Sequence, residues 1–489
     1  MCVEESTQHR ESLRPFLALL LLVMAIQSLA VYPSDYLTTD DRLIVSFGRE
    51  AEGLASLFER QTAGTPAIRP VSLGLARIEH HVLGDTAAPR LLFHVLLHAL
   101  AALLVALALQ GMGSGNRLAG LTMLLFAAQP LAAEPLAWFH GGHTTLPMAT
   151  LALAAVTGHI RRWPRPLTAL LFGLALLTRE NAIMVVAITF WISWIRCRGL
   201  RSVLADMWPF IVVAAVFVSI RAWQLITVLT SDETAYLPFG GNPLLSVLYL
   251  SFHLSIPVQP AIDGAWFWLG GAALLTGWAA LAARQNLRIA LLWMGLWCLP
   301  FLPLYATNDP LFSVDQSNYD RRWYYLYIPS IGISYLVACA LVSRRRLAWL
   351  VIPAVLALQI QNATWWSGLG ESARNSRTQI EALLGTERPL LFLFESTDDA
   401  LSEIIEHQLV DTPRLLPESP QVPVFRKKPG EDQVVRASRD PFDYPLWVPV
   451  PRPDLLPQDI LAVSWDPHTA QFQTRPPPHF PAPSPTAPP

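Results

Sequence analysis

Two carboxylates stand side by side in Asp35-Tyr36-Leu37-Thr38-Thr39-Asp40-Asp41-Arg42. Crowding and partial burial raise the proton affinity of one member of such a pair, which brings it toward useful basicity near neutral pH. A solvated acidic turn is the bland alternative on spacing alone. Glu134 follows in Gln129-Pro130-Leu131-Ala132-Ala133-Glu134-Pro135-Leu136-Ala137-Trp138-Phe139-His140-Gly141-Gly142-His143, at the end of an apolar run. An ionisable group at a membrane boundary usually faces a cavity, whereas Trp138 alone would be an ordinary aromatic-belt residue. Arg179 and Glu180 are adjacent in Leu176-Leu177-Thr178-Arg179-Glu180-Asn181, where a structural ion pair capping two helices is nearly as good an explanation. Arg321 and Arg322 precede Trp323, Tyr324, Tyr325 and Tyr327. Guanidinium groups bind phosphate oxygens through bidentate, charge-assisted hydrogen bonds, so this run is a seat for a lipid-linked phosphate. Its bland counterpart is an aromatic belt with basic flanks.

His94 and His98 are four residues apart on one helical face, a geometry compatible with metal binding. Only two ligands are present, so packing is favoured and no metal site is assigned. Gly111-Met112-Gly113-Ser114-Gly115 lacks the lysine and the preceding strand of a phosphate loop. Asn362-Ala363-Thr364 fits a glycosylation sequon but lies at a membrane edge.

The elements that must position these residues are apolar. The 489-residue chain is 52% hydrophobic and 15% charged, against about 25% charged in soluble domains. Its apolar residues form runs of roughly 11 to 19, approaching with their flanks the length that crosses a hydrocarbon core. The runs are Phe16–Ala30, Leu91–Leu109, Leu118–Ala128, Leu146–Val156, Leu167–Leu177, Ile183–Ile195, Phe210–Ile220, Phe267–Ala283, Ile289–Leu304, Tyr325–Val342 and Leu347–Ile360. The first reads as a retained signal anchor, since Val31-Tyr32-Pro33 is no small-residue cleavage site. Cys2, Cys197, Cys298 and Cys339 suggest no disulfide framework, and the net charge of −2 gives no reason for a nucleic-acid partner.

Basic connectors at 161–165, 196–201, 284–288 and 344–346 belong on the cytoplasmic side. The pattern holds throughout if Leu244–Pro257 is a re-entrant or interfacial segment, which gives eleven crossings. The N-terminus is then inside. Residues 32–88, 135–145, 222–264, 305–323 and the C-terminus are outside. The first outer loop, about 55 residues long, exceeds an ordinary connector. The sequence divides into a membrane-embedded region, 1–363, and an extracytoplasmic C-terminal region, 364–489. In the latter Leu390–Phe394 could be a strand, and the proline-rich stretch 413–489 is expected to be extended or disordered.

No motif above is specific by itself, but their order is. An acidic pair follows the first span, then Arg69-Pro70 and a helix with His94 and His98. Next come Glu134 with Trp138, then Leu177-Thr178-Arg179-Glu180, then Tyr325-Leu326-Tyr327-Ile328-Pro329-Ser330. Across roughly residues 15–345 this resembles the GT-C class of membrane glycosyltransferases, in particular the branch related to protein O-mannosyltransferases, here without tetratricopeptide repeats. The resemblance implies an all-α polytopic fold, a GT-C-like bundle of about eleven spans. It implies an inverting transferase that moves a sugar from a polyprenyl-phosphate donor in the bilayer to an extracytoplasmic protein, lipid or glycan acceptor.

By the resemblance, Asp40 or Asp41 is the base for the acceptor hydroxyl. Glu134, Trp138, His143, Arg179, Glu180, Arg321, Arg322, Tyr325 and Tyr327 fall on or beside the substrate-binding landmarks. The chain departs from the family where Gly141-Gly142, followed by His143, replaces a Gly-Arg pair, and where Trp323 and Tyr324 separate Arg322 from Tyr325. No cofactor is assigned; a divalent metal is compatible but not indicated. The expected location is a bacterial inner membrane with the site on its periplasmic face. A non-catalytic membrane protein or a transporter of lipid-linked substrates is the alternative. A transporter would show repeated hydrophobic halves with midplane charges, whereas here charges crowd the outer ends and no halves match.

Overall fold

The computed structural model describes residues 13–37, 39–50, 57, 69–197, 199–229, 254–255, 265–282 and 326–385. In the tail it describes 390–395, 404–405, 408–409, 424–427, 434–439, 445–449, 461–466 and 471–475. The chain forms two compact units.

The first unit is helical. Its elements are α1 (Arg14–Val31), α3 (Pro70–Leu83), α4 (Ala87–Gly111), α5 (Asn116–Ala127), α6 (Ala133–Ala137) and α7 (Phe139–Ile160). They continue with α8 (Arg165–Thr178), α9 (Met184–Arg196), α10 (Leu200–Leu229), α11 (Ala265–Ala282), α12 (Ser330–Ser343) and the first part of α13 (Ala348–Leu384). An intervening helix, α2 (Thr39–Glu50), is divided between the units after Ser46. The helices follow the apolar runs read from the sequence, except Ile289–Leu304, which lies outside the described residues, as does almost all of the interfacial segment.

A backbone in hydrocarbon must satisfy its own hydrogen bonds, and a helix does so within one segment. Among the described residues Arg14–Val31, Ala87–Gly111 and Leu200–Trp223 are long and apolar enough to cross a membrane. Leu19, Leu21, Leu22 and Leu29 of α1 are exposed, as are Trp208, Val212, Val216 and Trp223 of α10. Apolar surface on that scale is what lipid covers, and the chain is a polytopic helical membrane protein.

α7 is the central helix, buried along almost its whole length and packed between α4 and α8. Alanines of α4 let the two backbones approach, and Thr150 and Thr157 donate across to the carbonyls of Leu97 and Leu104, at 3.2 Å each. Hydroxyls two turns apart thereby tie one face of α7 to α4, a common device between membrane helices.

Two of the basic connectors, 161–165 and 196–201, meet at one end of this unit. Arg196 donates to the carbonyls of Ile160 and Gly111, and Arg161 to Leu107 and Gln110. Arg162 pairs with Asp206 at 2.7 Å, which also accepts from Ser193 at 2.8 Å. The starts of α4 and α7 and the end of α8 form the opposite end.

The second unit contains Pro33–Ser46 and the chain from Ser367 onward. Its sheet has strands β1 (Leu390–Glu395), β2 (Val424–Lys427), β3 (Val434–Arg439), β4 (Pro445–Pro449), β5 (Leu461–Asp466) and β6 (Gln471–Arg475). The order is β4-β3-β2-β1-β5-β6, with β1 parallel to β2 and β5 and every other pair antiparallel. Phe392, Val424, Val463 and Trp465 form a core with Ile380 of α13 and with Ile405 and Leu409.

Within the proline-rich stretch the expectation against regular pairing is corrected at 424–427, 434–439, 445–449, 461–466 and 471–475, which are paired strand. The prolines spare β2, β3, β5 and β6, and those of β4 stand at its two ends. β4 is an edge strand, where a missing backbone donor is tolerated. β1 covers the run read as a possible strand. Residues 476–489 lie outside the described residues.

Candidate functional site

The long first outer loop is not structureless: residues 70–83 form α3, whose Ser72 and Glu79 face inward and are buried. Arg69 caps the start of this helix, with Pro70 at its first position, where a missing N–H costs nothing. The guanidinium of Arg69 reaches Glu180, with Nη2 at 3.0 Å from Oε1 and Nε at 3.4 Å from Oε2. The Arg-Pro landmark therefore touches the Arg-Glu landmark, 111 positions later. Partial desolvation raises the Glu180 carboxyl; Arg69, with Arg221 beyond it, outweighs this and lowers it to about 2. The neighbouring Arg179 is buried and turns the other way, donating to the hydroxyls of Thr145 at 2.7 Å and Thr144 at 3.3 Å.

Glu134 is fully buried on the short helix α6, and Trp138 is buried at the α6–α7 junction. Gly141 lies under the Trp138 ring, where an added Cβ would come within 2.8 Å of Cε3. Gly142 is tighter: a Cβ there would collide with the carbonyl oxygen of Pro135 and come within 2.5 Å of His94 Nδ1. Glycine at 142 thus has a local cause, since a side chain there would displace the His94 ring and the Pro135 carbonyl.

His143, fully buried, donates from Nε2 to the carbonyl of Ser72 at 2.9 Å and turns Nδ1 toward Glu79, 3.4 Å away. His94 and His143 have ring centroids 6.5 Å apart, with Phe139 stacked on His94. Arg90 lies behind them, its Nη1 3.9 Å from Glu79 and its charge paired with Asp85 at 2.8 Å. Burial raises the Glu79 carboxyl; the imidazoles of His143 and His94 and the Arg90 guanidinium outweigh it, holding the group below the ordinary carboxylate value.

His94 and His98 do not act as a pair. One turn of α4 separates them, and His98 faces away, donating from Nε2 to the Ala127 carbonyl at 3.0 Å. Its Nδ1 accepts from the hydroxyl of Tyr327 at 2.6 Å. Sequence reasoning missed Glu79, which it placed in a loop. The available signal was helical spacing from Ser72 through Ala76 to Glu79, all inward-facing.

In the second unit, Asp41 stands in the first turn of α2, fully buried, and accepts the backbone N–H of Leu37 at 2.7 Å. Asp35 accepts its own neighbour's N–H, that of Tyr36, at 2.8 Å and faces Arg377 at 3.5 Å. Arg42 bonds Gln408, whose amide donates to the Tyr36 carbonyl at 2.7 Å, and Arg374 donates to the Ser34 carbonyl at 3.2 Å. Gln408, Arg374 and Arg377 had no signal in the sequence. Arg321, Arg322 and Tyr325 lie outside the described residues, and so does the side chain of Asp40. Asn362 of the apparent sequon is buried and donates to the Pro130 carbonyl, so its amide is spent on packing.

The fold and site define a class: a polytopic membrane protein with a buried, charge-bearing pocket of side chains at one end of its helices. No protein-family model matches the chain, and no curated protein does. Six solved chains do match. The chain is similar to ArnT from Cupriavidus metallidurans bound to undecaprenyl phosphate, at 15% identity and TM-score 0.49, covering 89% of this chain and 97% of that one. Against ArnT in the apo state the figures are 15%, 0.45, 85% and 92%. It is also similar to the oligosaccharyltransferase AglB from Archaeoglobus fulgidus in complex with an inhibitory peptide and a dolichol-phosphate, at 11% identity and TM-score 0.44, covering 81% of this chain. The chain spans 64% of the length of that archaeal protein.

Proposed function

We propose that this protein is a membrane glycosyltransferase that moves a sugar from a polyprenyl-phosphate donor to an extracytoplasmic protein hydroxyl, lipid or glycan, by inverting displacement. The observation that carries the reading is the Arg69–Glu180 contact, in which two landmarks of the resemblance far apart in the chain meet. His98 and Tyr327 form a second meeting of the same kind.

Displacement at an anomeric carbon needs a base for the acceptor proton. The leaving polyprenyl phosphate is a weak base and needs positive charge rather than a general acid. Asp40 or Asp41 is the base in this reading, and Arg321 or Arg322 holds the phosphate. Glu134, Trp138, His143, Arg179, Glu180, Tyr325 and Tyr327 shape the rest of the site. An apolar groove of about 150 Å³, lined among others by Leu125, Pro130, Trp278, Ile333, Val337 and Val355, has the chemistry to hold part of an isoprenoid chain. The reaction would take place on the periplasmic face of a bacterial inner membrane, with residues 1–363 as the transferase domain and 364–489 as an extracytoplasmic region.

Replacing Asp40 and Asp41 singly by asparagine and following transfer from a lipid-linked sugar tests the reading. Loss of about 100-fold or more in one variant is expected of a missing general base. Near-normal turnover in both would leave a non-catalytic protein or a transporter.

A further inference from the structure

Three helices each send one buried ligand-type side chain to a common point in the first unit. Glu79 comes from the last turns of α3, His94 from the second turn of α4 and His143 from the first turns of α7. All three are buried, His94 and His143 completely. One donor atom from each lies within 4.8 Å of the others. That spacing is at most about 1.5 Å wider than a tetrahedral metal would impose on its ligands, a distance side-chain rotation can close.

The hydrogen bonding is unfinished. Among the described residues neither oxygen of Glu79, neither nitrogen of His94, nor Nδ1 of His143 closes a hydrogen bond. Buried polar atoms are ordinarily paired, and five left over at one point need a partner. The tautomer of His143 sharpens this. Its Nε2 hydrogen is committed to the Ser72 carbonyl, so Nδ1 is the ring atom left facing the Glu79 carboxylate, at 3.4 Å. A proton on Nδ1 would serve that one contact, whereas a metal ion would also engage His94, whose nitrogens make no hydrogen bond among the described residues. The carbonyl behind His143 is also the outer partner that ordinarily orients a metal-bound imidazole.

Arg90, the nearby cation, uses Nη2 on Asp85 and Nε on the Gly84 carbonyl, at 2.8 Å each, and its Nη1 stands 3.9 Å from Glu79, beyond hydrogen-bond distance. Phe139 stacks on His94, the Pro135 carbonyl lies beside it, and Gly142 leaves room for its ring.

From this geometry we infer that Glu79, His94 and His143 form a binding site for a divalent transition metal of the zinc type, clamping α3, α4 and α7 together. Two imidazoles and a carboxylate suit Zn²⁺ or its first-row neighbours, whereas Ca²⁺ and Mg²⁺ prefer all-oxygen shells. Three protein ligands leave a fourth position for water or for an oxygen of a substrate. The inference does not depend on the transferase reading.

The test uses the full-length protein purified in detergent, stripped with a chelator and re-equilibrated with Zn²⁺ or Co²⁺. Elemental analysis should find one metal per chain, and the Co²⁺ form should show visible ligand-field bands without thiolate charge transfer. Glu79→Gln and His143→Ala should each lower affinity by about 10-fold or more. His81→Ala, which removes an exposed histidine of α3, should keep it. X-ray absorption on the unmutated Zn²⁺ form needs no variant and should show a nitrogen/oxygen shell containing two imidazoles. Absence of metal above the buffer level, a shell without two imidazoles, or binding indifferent to both site variants would overturn the site. Sugar transfer enters none of these measurements, so a failed transferase assay and a failed metal assay remain distinct results.

Discussion

The hydroxyl of Tyr327 lies 2.6 Å from Nδ1 of His98, although 229 positions separate the two residues. The second nitrogen of His98 is taken by the Ala127 carbonyl, so both ends of a wholly buried ring are satisfied. Tyr327→Phe keeps the shape and removes the hydroxyl. Leaving the buried nitrogen without its donor should cost about 1–3 kcal/mol. Thermal unfolding in detergent would register this. His98→Phe combined with Tyr327→Phe should lose less than the two single changes added together, because it leaves no orphan.

The Arg69–Glu180 pair sets a pH dependence whose sign can be worked out. The folded-state carboxyl of Glu180 titrates near 2, below its ordinary value of 4.5. A depressed carboxyl stabilises the fold above its unfolded value and loses that contribution as pH falls through the folded one. Acidification from about pH 5 to pH 2 should therefore narrow the stability gap between the native protein and Glu180→Gln. The pair is partly exposed, so the gap at neutral pH should be modest and shrink with salt. A constant gap across that range would mean that the bridge contributes nothing.

Gly142→Ala is the sharpest single-atom test of packing at the α6–α7 junction. The new methyl would run into the Pro135 carbonyl oxygen, part of the backbone, and into the His94 ring. Overpacking usually costs about 1–3 kcal/mol, and a backbone obstacle puts this change at the upper end or beyond. Gly113→Ala offers a contrast: nothing lies within 4 Å of its Cβ position, but its φ of +90° makes the cost one of backbone strain. Melting curves of the two would differ in cause, and only Gly142→Ala should disturb metal binding.

What could be read from the sequence tracks how local the cause is. Helices within apolar runs such as Leu91–Leu109 follow from composition and length alone. The gathering of Arg161, Arg162 and Arg196 at one end follows from charge asymmetry between loops. Pairing between distant residues is different. The i, i+4 relation of His94 and His98 fixes a shared face but not what lies across each turn, and here one turn meets Glu79 and the other Tyr327. Glu79 was missed because the helical spacing Ser72–Ala76–Glu79 shows a shared face but not, in a long outer loop, that the face is buried. In the tail, proline density argued against pairing, but proline forbids only the donor it removes. Prolines confined to connections and to the ends of β4 leave the interior ladders intact.

The tail also has a bearing on the first acidic segment. Arg374, Arg377 and Gln408 grip Ser34, Asp35, Tyr36 and Arg42, so the stretch leading into Asp40 and Asp41 owes its shape to residues more than 300 positions downstream. Shortening the polypeptide at residue 363 would cut α13 midway and strip that stretch of its fasteners, with every apolar helix before it untouched. A truncated protein could then insert normally and still lack the shape its proposed base requires.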